Sequence, residues 1–136
     1  MVNQQFTFAV HIMTVLAFSP REVIGSQILA ASIHTNPVVV RRLLIALRKA
    51  KLVETLAGKH GGARLGRRPR GISLMDIYDA IEPRPVIRVN ERRTLKACQV
   101  SCKMKSIMSV VAESTEEAVR RHLRRVTLAQ LVRKVR

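Results

Sequence analysis

From Gln4 to Phe18 apolar residues return at helical spacing, with Phe6, Val10, Met13 and Ala17 on one side and Phe8, Ile12 and Val15 on the other. The pattern predicts a helix that is apolar nearly all round, and such a helix must be covered from two directions. Pro20 ends it. Gly25-Ser26 predicts the cap of a short second helix, Gln27 to about Ser32, and His34-Thr35 the turn after it. Asn36-Pro37 opens a third helix on two counts. The Asn side chain can accept a bond from an orphan amide, and a proline at the first helical position has no amide to leave unpaired. That helix runs to Ala50, with Val40, Leu43, Leu44 and Leu47 on one face and Val38, Arg41, Arg42, Ile45, Arg48 and Lys49 elsewhere.

From Leu52 to Leu56 the period shortens towards two, and Gly58-Lys59-His60-Gly61-Gly62 separates this run from Ala63-Arg64-Leu65. The reading is a β-hairpin with a glycine-rich basic tip. Ser73 caps a fourth helix from Leu74 to about Ile81, closed by Pro83. Residues 84–97 show no clear period, and Pro85 opposes a continuous helix, so they read as a linker or mobile loop. Beyond Cys102 a long helical pattern resumes on Met104, Ile107, Val111, Ala118 and His122, widened by Met108, Val119 and Leu123, as far as about Arg125. Thr127 caps a last turn through Leu128, Leu131 and Val132. The chain thus divides into residues 1–83, a linker 84–97 and a helical part 98–136.

At 136 residues this is one ordinary domain. Its 47% hydrophobic and 25% charged residues are enough to build a core. Charge changes the picture. Twenty-five Lys plus Arg against nine Asp plus Glu leave +16, which calls for a polyanionic partner. Ten of the basic residues lie between Arg41 and Arg70 beside one acid, Glu54, and a second concentration runs from Arg84 to Arg136. Aromatics are 3% with no Trp, so stacking platforms for single strands are poorly supplied and duplex binding is favoured. The longest nearly apolar stretch, Phe6 to Phe18, is shorter than the roughly 18–20 residues of a membrane span. No basic start followed by an apolar run and a cleavage site opens the chain. The expectation is a cytoplasmic protein with no membrane partner.

Helix, short helix, turn, capped helix and glycine-tipped hairpin follow one another in the order of a winged helix-turn-helix. The expected fold is mainly α with a small β-hairpin, extended by a long C-terminal helix. In such a fold the third helix enters the major groove and the hairpin, or wing, lies on phosphates or in the minor groove. Basic residues stand on both elements. The alternative, that Arg41, Arg42 and Lys59 form only a solvated face, is weakened by the near absence of compensating acids.

Four stretches, Phe6-Thr7-Phe8-Ala9-Val10-His11-Ile12, Thr35-Asn36-Pro37-Val38-Val39-Val40-Arg41-Arg42, Gly61-Gly62-Ala63-Arg64-Leu65 and Ile72-Ser73-Leu74-Met75-Asp76-Ile77-Tyr78, together resemble the Rrf2 family of bacterial winged-helix regulators. That family includes repressors sensing iron–sulfur clusters, nitric oxide and cysteine metabolism. The resemblance covers nearly the whole chain. It implies a homodimer whose long helices cross and present two winged domains to a pseudo-palindromic operator in double-stranded DNA. Such a dimer would also cover the second side of the first helix. Position by position, it implies base reading by Val38, Arg41 and Arg42. Thr35 and Asn36 would touch or orient phosphate, with Ser26 and Pro37 in the same set, and Lys59, His60 and Arg64 would track the backbone. Asn36 as a helix cap only is the competing reading.

Sensor chemistry is where the chain departs from cluster-holding relatives, which present three cysteines before the long helix. Here there are two in all, Cys98 and Cys102. Cys98-Gln99-Val100-Ser101 resembles the single-cysteine stretch of cluster-free members, with Gln99 and Ser101 where proline and glycine usually flank the valine. No cofactor is expected. A thiol switch at Cys98 and Cys102, beside Lys96 and Lys103, stands against the reading of a small thiol packed like alanine. A small-molecule or oxidant effector remains open. His11, His34, His60 and His122 fall in four separate elements with no carboxylate at metal-motif spacing, so neither a metal site nor catalysis is indicated. Gly58 to Gly62 lacks the lysine-serine ending of a nucleotide-phosphate loop and precedes a strand. The rivals to a dimeric repressor are a basic RNA-associated protein and a membrane-surface protein using residues 120–136, which carry seven basic residues and no acid. Those charges are otherwise expected to add to the DNA-facing field or to meet Glu113, Glu116 and Glu117 across the dimer.

Overall fold

The all-round apolar helix is the element on which the chain packs. In a computed structural model, which describes residues 4–136, α1 spans Gln4–Phe18 and buries Ala9, Ile12, Met13, Leu16 and Ala17. Around it lie α2 (Ser26–Ile33), α3 (Pro37–Lys49), the antiparallel strands β1 (Val53–Leu56) and β2 (Gly62–Leu65), and a 3-10 turn, Pro69–Gly71. They are followed by α4 (Leu74–Ala80), α5 (Gln99–Arg125) and α6 (Leu128–Val135). The fold is the expected winged helix-turn-helix with a long C-terminal helix.

α2 begins one residue before the expected start, and its N-cap is Gly25, which has no side chain to cap with; Ser26 is already helical. His34 closes α2 in the left-handed conformation, φ 63°. The chain bends by 111° between α2 and α3, within the roughly 90–120° of a helix-turn-helix. Asn36 caps α3 as expected, its side-chain oxygen accepting the Val38 N–H at 2.7 Å. Ser73 and Asp76 form a reciprocal capping box at α4, and Thr127 and Gln130 another at α6.

The second side of α1 meets α4 and α6 of its own chain. α6 contributes the buried Leu128 and Val132 to the same core as Ile12, Met13 and Leu16. This corrects the expectation that a crossing partner helix is needed to cover α1. α5 also begins earlier than its apolar pattern suggests, with Cys98 as N-cap accepting the Ser101 N–H through sulfur. Apolar periodicity fails as a guide there because this end of α5 has no core to face; Val100, Met104, Ile107, Val110 and Val111 are all exposed.

α5 joins the rest through its C-terminal half, where Leu123 and Val119 pack on Met75 and Tyr78. Phe6 meets the Tyr78 ring edge-on at 5.2 Å. Arg120 lies over that ring at 5.7 Å and donates to Asp79 Oδ1 at 3.0 Å. Burial, and then the negative charge of Glu116, hold the Tyr78 phenol above its ordinary range.

The wing is fixed by a two-bond bridge. Ile24 and Ala63 each donate an amide to the other's carbonyl at 2.9 Å, joining β2 to the segment before α2. Gly62 takes φ 155° beside this bridge, where a Cβ would strike the Ile24 carbonyl. Gly62→Ala is expected to destabilise the protein by about 1–3 kcal/mol, whereas Gly71→Ala, which meets open space, should stay within about 0.5 kcal/mol of the parent. Urea unfolding of both variants checks this.

Candidate nucleic-acid interface

One stripe of α3, Val38, Arg41, Ile45 and Arg48, follows the 3–4–3 spacing of a helix face and is exposed along its length. It is held outward because Val40, Leu43, Leu44 and Leu47 are drawn into the core. Arg42 and Lys49 stand beside it, also exposed. The hairpin rises next to this face, and Arg48 reaches across to Thr55 Oγ1 at 3.5 Å. Between the two lies an open groove of about 370 Å³ whose walls include Ser26, Arg41, Ile45, Arg48, Leu56 and Gly61. The first turn of α2, the third helix and the wing therefore share one concave surface.

Among the described residues, Arg41, Arg42, Arg48, Lys49, Lys51 and Lys59 form no ion pair. Their field is uncompensated on this side, which favours phosphate. Lys59 and His60 are exposed at the hairpin tip. Thr35 and Pro37 are half-buried beneath the start of α3; the Thr35 amide bonds the Ala30 carbonyl at 3.0 Å. The Asn36 side chain is engaged as a cap.

Arg64 departs from the expected free cation. It sits opposite Glu54 in the hairpin register and pairs with it at 2.9 Å, both side chains about half exposed. Ile45, Arg48, Thr55 and Leu56 were not in the expected set. The i, i+3, i+7, i+10 spacing from Val38 marks Ile45 and Arg48 in the sequence, whereas Thr55 and Leu56 carry no signal until the hairpin is docked.

The thiols lie at the opposite end of the molecule's logic, on the first turn of α5. Cys98 is half-buried and Cys102 exposed, its sulfur 3.6 Å from the Lys96 carbonyl oxygen. Among the described residues no three His, Cys, Asp or Glu side chains gather as a metal site. The charges of α5 also differ from expectation. Arg120 pairs with Glu116 at 4.0 Å and Arg124 with Glu117 at 3.6 Å, within one helix of one chain. One turn or two of helix brings these groups together without a partner.

A family model described as "Rrf2: Iron-dependent Transcriptional regulator" matches residues 2–134. The HTH-type transcriptional regulator YwnA of Bacillus subtilis is 31% identical over 123 residues, covering 90% of each chain. A solved structure described as a DNA binding protein is 30% identical, with a TM-score of 0.73 over 94% of this chain and 98% of its own. A transcriptional regulator from Lactobacillus plantarum superposes with a TM-score of 0.83 over 99% of this chain and 91% of its own, at 23% identity.

Glu54→Gln releases Arg64. The variant is expected to bind random duplex more tightly and to steepen the log–log salt dependence by about 0.9, while losing under about 1 kcal/mol of stability with an exposed pair. Fluorescence anisotropy across a salt series measures it, and an unchanged slope would mean that the pair does not restrain Arg64.

Proposed function

The chain belongs to the Rrf2 family of DNA-binding transcriptional regulators, a non-enzymatic family, and on that premise we propose that it is a homodimeric, cytoplasmic repressor reading a pseudo-palindromic operator. The observation that carries the reading is the shared concave surface of α3 and the wing, lined by cations without acid partners. Arg41 and Arg42 are assigned to base edges, where a bidentate grip on guanine gives about 1–3 kcal/mol of discrimination. Val38 packs on a thymine methyl. Lys59 and His60 follow phosphates, joined by Arg64 once Glu54 lets it go, and Ser26, Thr35, Asn36 and Pro37 orient the backbone approach.

The dimer is supported by α5. Val100, Met104, Ile107, Val110 and Val111 leave an apolar stripe exposed on its N-terminal half, a feature that marks an interaction surface. Two copies crossing there would cover it and set two α3 helices on one face. Among the described residues no single helix is long and apolar enough to cross a membrane.

The family description names iron. Cys98 and Cys102 supply two thiol donors in this chain, short of the four thiolates that commonly hold a cluster, and no step of the reading runs through one. The input proposed instead is an effector or oxidant acting near the start of α5. Repeating an operator footprint after diamide treatment reads that input, and protection that survives assigns both thiols to packing alone.

Arg42→Ala should weaken operator binding by about 1–3 kcal/mol with little loss on random DNA, while Lys59→Ala should weaken both and lower the salt slope by about 0.9. Competition gel shifts with scrambled duplex distinguish the two; equal losses on both DNAs would remove Arg42 from base reading. Ile107→Glu should give a monomer in light scattering with the winged part still folded, and a dimer that persists would move the interface elsewhere.

A further inference from the structure

The second concentration of charge has no part in the surface described above. Residues 118–136 contain seven basic side chains and no acid. Arg120 and Arg124 are engaged by Asp79, Glu116 and Glu117. Arg136 lies over the Phe18 ring at 5.3 Å and keeps its charge. Arg121, Arg125, Arg133 and Lys134 are exposed and form no ion pair among the described residues.

The fold gathers them. Arg121 and Arg125 are one turn apart on α5. Arg133 and Lys134 stand on the outer stripe of α6, because Leu128 and Val132 turn the other face into the core. Only Val126 and Thr127 separate the helices, and this corner is pinned by Leu74 N–H to the Val126 carbonyl at 2.8 Å and Leu128 N–H to the Ile72 carbonyl at 2.9 Å. The 3-10 turn packs on α6 and brings Arg68 and Arg70, both exposed and without acid partners among the described residues. Cations from three segments thus surround α6. The main neighbours of α6 are α1 and this turn, whereas those of α3 are α1, α2, α4 and β1, so the two basic surfaces belong to different sides of α1.

We infer that the α6 face is a second, sequence-independent binding surface for duplex DNA, acting through phosphates. Unpaired like charges on neighbouring elements are stabilised by a polyanion that releases its counterions on binding. On α6 Leu128 and Val132 are buried and Val135 is the exposed large apolar side chain, a small area to insert into a bilayer. Phe18, the aromatic ring at this face, is half-exposed and has Arg136 over it at 5.3 Å, which competes with a stacked base. A regulator seated on one DNA segment through α3 would hold a second through α6. The inference rests on the regulator reading only for the presence of DNA.

The test uses the full chain on bead-bound random duplex, challenged with a second, labelled random duplex across a salt series. The wild type should capture the second duplex at low salt. Arg133→Gln with Lys134→Gln should reduce capture and lower its log–log salt slope by about 0.9 for each contact removed. The monomeric Ile107→Glu variant, which keeps both α3 and α6, should leave capture in place. Arg121→Gln with Arg125→Gln gives an independent readout should the first pair fail to fold. No capture by the wild type, undiminished capture by both Gln pairs, or loss of capture in Ile107→Glu would each overturn the inference, the last by assigning bridging to the two winged domains of a dimer. Flotation on phosphatidylserine vesicles without duplex capture would overturn it in favour of a membrane. A footprint that finds no operator would sink the repressor reading and leave this assay readable.

Discussion

Covering α1 is the constraint from which the rest of the architecture follows. Ile12, Met13 and Leu16 are wholly inaccessible to water, and at about 1.5–3 kcal/mol for each large apolar side chain buried no arrangement that leaves one side of this helix wet competes. α3 answers from one direction with Val40, Leu43 and Leu47, and α6 from another with Leu128 and Val132. The orientation of the arginines is a by-product. Once the leucine stripe of α3 faces α1, helical geometry turns Arg41 and Arg48 to solvent, and the Ile24–Ala63 bridge sets the hairpin beside them.

With nine acids for twenty-five bases, the placement of acids shapes the surface more than the placement of cations. Glu54 quiets Arg64 on the wing, Asp76 stands 3.8 Å from Arg67, and Asp79, Glu116 and Glu117 tie Arg120 and Arg124. The stretch of α3 and the outer side of α6 are left bare. Arg84, Arg88, Arg92, Arg93, Lys96 and Lys103 are likewise exposed without acid partners among the described residues, so salt-dependent attraction gathers wherever no acid answers.

The order of elements was legible because local rules and burial agreed. Asn36-Pro37 and the box of Ser73 with Asp76 are short-range signals, and tertiary packing had no reason to override them. The reading failed where a partner lay far along the chain. Nothing near α1 announces that α6, more than a hundred residues later, will close its second side. Gly25 replaced Ser26 as the cap because the bridge to Ala63 holds the preceding residue extended. The first turn of α5 was missed because exposed apolar residues blur the period used to find helices. The exposure of Val38, Arg41 and Arg42 was readable from the leucine stripe alone, whereas the engagement of Arg64 depends on hairpin register, which places Glu54 opposite it.

The way α5 is attached has a mechanical meaning. A rod of 27 residues, about 40 Å long at 1.5 Å per residue, meets the winged part near one end only, at Met75, Tyr78 and the Arg120 contact. That makes it a lever with a small fulcrum. In the proposed dimer a slight rotation where two rods cross is magnified at the far tips, changing the separation of the reading heads against the 34–36 Å repeat of successive major grooves. A stimulus that never touches DNA need only nudge the rod to put the heads out of step.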